Sequence, residues 1–152
     1  MEARIQTRWE PLTLTGIAVV GLAIATYLTA THSNALTLIC SINSVVNCAA
    51  VRHSAYSVVP GTSIPISIPG VAWFAVSGLV SLIALRAASA GTPEPRWLRP
   101  LHLVWAAMAL VVVLYLVYVE IVVLHQICEW CTVVHLLIVA TFVLALLRLQ
   151  RA

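Results

Sequence analysis

Four long apolar runs constrain this chain more than anything else in it. They extend from Leu12 to about Ala30, from Ile68 to about Ala88, from Leu101 to about Leu124 and from Cys131 to about Leu147. The first turn of the last begins near Cys128. Each run is close to the roughly 20 residues that cross the hydrocarbon of a bilayer. In lipid a segment must satisfy its own N–H and C=O groups, so these are helices and not lone strands. Pro69 suits a first helical turn, where its missing N–H costs nothing. Composition agrees, with 62% of residues hydrophobic and only 9% charged. So few charges could not cover a soluble globule of this length. The expected fold is an all-α membrane protein: a four-transmembrane-helix bundle forming a single domain over residues 1–152, with helices near 12–30, 68–88, 101–124 and 128–147.

The basic residues set the orientation. Arg4 and Arg8 precede the first run, Arg86, Arg96 and Arg99 lie between the second and third, and Arg148 and Arg151 follow the fourth. Four spans put these seven on one side and leave only Arg52 on the other. Arginine-rich connections stay in the cytoplasm, so both termini are expected there. The arginines do not cluster on one polar segment, which argues against nucleic acid as a partner. Tyr27, Trp73, Tyr115, Tyr118 and Trp130 fall toward the non-cytoplasmic ends, where amphipathic rings are favoured. The first run is longer than a signal-peptide core and lacks a clean small-x-small site after it, so it reads as a retained helix.

Thr31 to Ser67 is the only long polar stretch, and it lies outside. Asn43 or Ser44 is placed to cap a short helix running to about Tyr56, and Pro60-Gly61 to make a turn. A short extracytoplasmic helix and loop therefore join the first two spans. Gly91-Thr92-Pro93-Glu94-Pro95 is a short connector on the opposite side.

All four cysteines, Cys40, Cys48, Cys128 and Cys131, fall on the outside, where disulfides form. Cys128-Glu129-Trp130-Cys131 is a C-x-x-C at the mouth of the fourth helix. Residues three apart share a helix face, and a helix N-terminus favours the reactive thiolate. Glu129 opposes this slightly by its charge. Cys40 and Cys48 form a second pair on a polar loop. A loop pair and a helix-mouth pair suit a relay in which thiolates attack disulfides in turn. Two readings compete. Two structural disulfides would also suit an oxidising compartment, although a bridge across one helical turn constrains little chain. A Cys₄ zinc site lacks its second C-x-x-C, so no metal is expected. No G-x-G-x-x-G follows a strand, so no nucleotide or flavin site is expected either. The electron acceptor is then a lipid-soluble quinone.

These residues resemble the vitamin K epoxide reductase (VKOR) family, specifically its bacterial members. The likeness runs through Cys40-x₇-Cys48, Val51-x-x-Ser54-x-Tyr56, Gly61-x-x-x-Pro65, Pro69-Gly70 and Cys128-x-x-Cys131. The order matters: in the unrelated, also four-helical DsbB family the C-x-x-C comes in the first outer loop. The resemblance implies a membrane thiol–disulfide oxidoreductase in which Cys40 receives electrons from a partner dithiol, Cys48 passes them to Cys128, and Cys131 faces a quinone of the menaquinone or ubiquinone type. Ser54 matches a family Ser or Thr near the cysteines. His135, four residues after Cys131, stands where several members have a Tyr near the quinone. An imidazole there could donate to a quinone carbonyl, and ionisable groups inside spans are functional by default. Trp130 reads as an interface anchor, Glu120 as an interface group, and His53 as a loop residue.

Two features depart from the family pattern. Many bacterial members carry a fused thioredoxin-like domain, which does not fit within 152 residues. The expected partner is therefore a separate extracytoplasmic DsbA-like thioredoxin-fold protein, besides membrane lipid. Ile66 occupies the place of a vertebrate Asn that contacts the quinone, which favours a simple quinone over vitamin K epoxide. The alternatives are a quinone or vitamin K epoxide reductase with another thiol donor, and a membrane scaffold with two structural disulfides. Basic residues that are all Arg, with abundant Ala, Val and Leu, point to a bacterium with a GC-rich genome, and the expected location is its cytoplasmic membrane.

The charge pattern yields a direct test. An impermeant thiol reagent added to intact cells after mild reduction is expected to label Cys40. Labelling that needs permeabilised membranes would reverse the orientation and remove the basis for the disulfides.

Overall fold

A computed structural model of the chain describes residues 8–151, and Arg4, one of the seven orienting arginines, lies outside them. The four expected spans are helices α1 (Trp9–His32), α3 (Ser67–Ala90), α4 (Leu98–Tyr118) and α5 (Glu129–Gln150). A π-helical turn, Val119–Leu124, continues α4. All four are long and apolar enough to cross a membrane. At 1.5 Å per residue, the 24 residues of α1 and of α3 are each about 36 Å long. α1 packs on α3, α3 on α4, α4 on α5 and α5 on α1, which closes a four-helix ring.

Small residues decide the closest pair. Leu14, Ala18, Gly21 and Ala25 are buried on α1 at helical spacing. A Cβ built at Gly78 would lie 3.4 Å from the Cβ of Ala18, and one at Gly70 would lie 3.8 Å from that of Ala25. Thr29 Oγ1 donates to Ser67 Oγ at 2.9 Å at the same end. The register is antiparallel throughout. Helices in lipid gain no hydrophobic driving force from meeting, so they associate through close backbone approach and interhelical hydrogen bonds. Phe74 fills the space that Gly21 leaves open, and a Cβ at Gly21 would overlap its ring. Phe74 stands edge-on to Trp73 at 4.9 Å. Trp73 is buried, in the second turn of α3. Its indole N–H donates to the Trp105 carbonyl at 3.1 Å and so ties α3 to α4.

One end of the bundle carries the ion pairs. Glu94, in the α3–α4 connector, accepts from Arg99 at 3.0 Å and from Arg148 at 2.9 Å. Arg151 donates to Glu10 at 2.6 Å, and Arg148 approaches the same carboxylate at 3.9 Å. The side chains of Glu94 and Arg148 are 2% and 4% exposed, so loss of either would strand a buried charge. Gly91 ends α3 at φ 66°, a left-handed cap that glycine adopts without strain.

The other end carries the cysteines. Its short helix is α2 (Cys48–Arg52), and the cap is Asn47, whose Oδ1 accepts from Ala50 N at 3.0 Å. Sequence favoured Asn43 or Ser44. Asn43 instead folds the preceding turn, accepting from Val45 N and Val46 N at 2.8 and 2.7 Å. The helix ends at Arg52, and a 3₁₀ turn over Ala55–Ser57 takes the chain on to Tyr56. A hairpin-like return follows, with Val59 N donating to Ile64 O at 2.8 Å around Pro60-Gly61.

The α1–α3 contact makes a prediction about stability. Gly21→Ala is expected to cost about 1–3 kcal/mol, the usual range for overpacking a tight core, read as a lowered thermal midpoint in detergent. Unchanged stability would mean that Phe74 does not press on α1.

Candidate functional site

Two remote segments meet at the cysteine end. Ile127 N donates to Val45 O at 2.8 Å, and Asn47 N donates to Ile127 O at 3.0 Å. This is a single parallel backbone bridge between the outer loop and the residues that lead into α5. The residue after each strand-like segment is a cysteine, Cys48 on one and Cys128 on the other. Both are buried, at 1% and 2% exposure, and both line one cavity. Gln126 reinforces the bridge by donating from its amide to Ser44 O at 3.3 Å.

Cys40 and Cys48 form a disulfide with Cα atoms 6.2 Å apart, and Cys128 and Cys131 are free thiols. Cys40 is partly exposed where Cys48 is not. The strand around Cys40 is held from three sides. Trp130 Nε1 donates to Ile39 O at 2.6 Å. Glu129 Oε1 accepts from Ser41 N at 3.0 Å. Tyr27 Oη accepts from Ile39 N at 3.0 Å and donates to Thr37 O at 3.2 Å. Tyr27 and Trp130 also meet edge to face at 5.3 Å. The two residues inside the C-x-x-C therefore clamp the outer disulfide, a task beyond the interface anchoring read for Trp130.

Cys128 caps α5. Its sulfur accepts from Cys131 N at 3.3 Å. Its thiol is held below the ordinary cysteine range. The Cys131 thiol as a hydrogen-bond donor is the main cause, and the backbone N–H groups of Cys131 and Trp130 help. Burial and the Glu120 charge oppose the shift. The most readily ionised sulfur of the inner pair thus lies beside Cys48.

Cys131 and His135 share a face of α5 and line the same cavity, a space of about 90 Å³. A single water needs roughly 10–15 Å³ by that measure. Most of the wall is apolar, with Leu28, Val51, Ile66, Leu116 and Val119 among its residues. Ser54 is also on the wall; its hydroxyl donates to Val51 O at 2.7 Å. All six residues named from the sequence, the four cysteines, Ser54 and His135, lie at this end, and all but Cys40 line the cavity itself.

Glu120 departs from its reading as an interface group. It is 6% exposed, lines the cavity, and accepts from Cys128 N at 3.2 Å through Oε2. The π turn that carries it was not legible in the sequence, although a lone Glu in an apolar run is itself a signal. The sulfurs of Cys40 and Cys48 and a Glu129 oxygen lie within 4.8 Å of one another. Closed as a disulfide, the two sulfurs offer no thiolate to a metal.

The apolar wall, a reducing thiol at one end and an imidazole beside it fit a flat, lipid-soluble ring that bears carbonyl groups. A comparison with curated proteins finds no match. The family model for the vitamin K epoxide reductase family matches residues 12–146. That range takes in the second and third spans, most of the first and fourth, both cysteine pairs and the cavity between them. The chain belongs to the vitamin K epoxide reductase family, a family of membrane thiol oxidoreductases that use quinone-type electron carriers.

Proposed function

We propose that this protein reoxidises an exported DsbA-like thioredoxin-fold partner and passes the electrons to a menaquinone- or ubiquinone-type quinone. The observation that carries this reading is one cavity shared by Cys48, Cys128, Cys131 and His135, with the outer pair closed and the inner pair reduced. The cysteine end would face the extracytoplasmic side and the Arg-rich end the cytoplasm.

The order of events follows exposure. A partner thiolate attacks Cys40, the more exposed sulfur, and expels Cys48. The partner's second thiol then displaces Cys40, leaving the partner oxidised and the outer pair reduced. Cys48 attacks Cys128 of the closed inner pair and releases Cys131. Cys40 attacks Cys48 and frees Cys128. The outcome is an outer disulfide and an inner dithiol, the state described above. A quinone bound against Cys131 and His135 accepts two electrons and two protons. His135 donates a hydrogen bond where negative charge develops on the acceptor oxygen. Ile66 on the cavity wall offers no polar group, which supports a simple quinone over vitamin K epoxide as substrate.

Two experiments test the relay. The Cys48→Ala protein, mixed with a partner whose single surface cysteine is activated as a disulfide with thionitrobenzoate, is expected to accumulate a mixed disulfide at Cys40, which attacks the partner sulfur and releases the thionitrobenzoate thiolate. The Cys40→Ala protein should trap far less, and equal trapping would refute the assigned order. In steady-state quinone reduction, Cys131→Ala should abolish activity and His135→Ala should slow it, by up to about 10²–10³-fold if the donor matters fully. His135→Tyr should keep much of the rate. A wild-type rate in His135→Ala, with unchanged quinone affinity, would make His135 a packing residue.

A further inference from the structure

A carboxyl group inside a membrane helix is costly to keep. Glu120 is held there from both ends. Its backbone carbonyl accepts from His125 N and from Gln126 N, the latter at 3.0 Å, which closes the π turn. Its side chain accepts from Cys128 N at 3.2 Å. No arginine pairs with it among the described residues, and it shares one cavity with both inner cysteines. π turns occur frequently at functional sites. A group so fixed and so placed does more than hold one amide.

Charge accounting inside the cavity narrows its task. A carboxylate at Glu120 and a thiolate at Cys128 would be two like charges in one poorly solvated space, an unfavourable combination. Moving a proton from the Cys128 sulfur to the Glu120 oxygen creates the nucleophile and leaves the total charge unchanged.

We propose that Glu120 is the proton acceptor for Cys128 when the inner pair is oxidised. This deepens the relay reading and rests on it. The S–H bond of Cys128 breaks and an O–H bond forms on Glu120. The freed sulfur electron pair forms the S–S bond to Cys131 as the S–H bond of Cys131 breaks and its electron pair and proton pass to the quinone. Two electrons and two protons leave the dithiol for the quinone, which becomes quinol, and Glu120 returns to carboxylate by giving its proton up in the same turnover. His135 attends the acceptor at one side of the cavity and Glu120 serves the cysteine that never meets it. The two groups divide the proton work of one two-electron step.

Glu120→Gln separates this role from a structural one, because an amide oxygen can still accept from Cys128 N. The test uses the full chain in detergent, with the outer pair oxidised and the inner pair reduced. Iodoacetamide at neutral pH should alkylate Cys128 several-fold faster in the variant, with the modified residue identified by mass spectrometry, because the neighbouring negative charge is gone. Dithiol-driven reduction of a short-chain ubiquinone should nevertheless fall by about 10²-fold, the lower end of what a positioned proton acceptor contributes. A more reactive cysteine in a slower enzyme is the expected signature. An unchanged alkylation rate, turnover within twofold of wild type, or a joint fall in both would overturn the proposal. Should the wild-type protein reduce no quinone, the relay reading falls by itself. The alkylation rate then decides whether Glu120 governs Cys128.

Discussion

The hydrogen bonds that Ile127 exchanges with Val45 and Asn47 hold the chemistry of this molecule together. They bring a polar loop after the first span against the mouth of the fourth, and they do so in a register that sets Cys48 next to Cys128 along the two backbones. Such a bond adds only about 0.5–1.5 kcal/mol net. Two of them could not order a loop of this length unaided. Asn43, Asn47, Gln126, Glu129, Trp130 and Tyr27 each add one or more contacts to the same segment. Many weak ties suit a relay better than one strong one. The segment around Cys40 is held by ties that would still let it open locally for the proposed partner.

The two ends of the bundle solve the problem of polar groups in lipid differently. At the Arg-rich end, Glu10 and Glu94 pair with Arg99, Arg148 and Arg151, so each of these carboxylates faces an arginine. At the cysteine end, among the described residues, the Glu120 carboxyl has one hydrogen-bond partner, a backbone N–H. The paired end holds helices; the unpaired end holds reactivity. Between them, Ala18, Gly21 and Ala25 let α1 and α3 approach closely. That contact fixes where α1 ends, and so where Tyr27 meets Trp130.

The spans were legible because lipid imposes one periodicity on about 20 residues at a time. Cys128, Cys131 and His135 were legible as a group because helical spacing converts sequence distance into a shared face. The rest depended on contacts across long separations. Nothing local distinguishes Asn47 from Asn43 as the cap of α2, because both are Asn in a polar loop. The choice follows from Asn47 N being drawn to Ile127 O. Glu120 looked like an interface residue because an α-helical continuation was assumed. The π turn, closed by two donors on the Glu120 carbonyl, buries Val119 and Glu120 together and leaves the next three residues facing out. Trp130 was read from its residue type, which says where indoles prefer to sit and not what this one holds. Its partner, the carbonyl of Ile39, lies 91 residues away in sequence.

The lowered pKa of Cys128 bears on the direction of electron flow. In the proposed relay, the mixed disulfide between Cys48 and Cys128 is resolved when Cys40 attacks Cys48, and Cys128 is then the leaving group. A thiol with a depressed pKa leaves faster, and as an attacking group it is intrinsically weaker. The hydrogen bonds on Cys128, that of the Cys131 thiol above all, would therefore favour closing the outer pair over reopening it. Running backwards, the same thiolate would have to attack Cys48 with reduced nucleophilicity. Taking a proton off Cys128 is useful only when Cys131 is the target. A carboxyl that controls this proton would select between the two fates of one sulfur: idle against the outer disulfide, or committed to the inner one. In the proposed relay the bridge at Ile127 needs to bring the cysteines together in only one register, because the protonation chemistry at Cys128 would decide which way that meeting resolves.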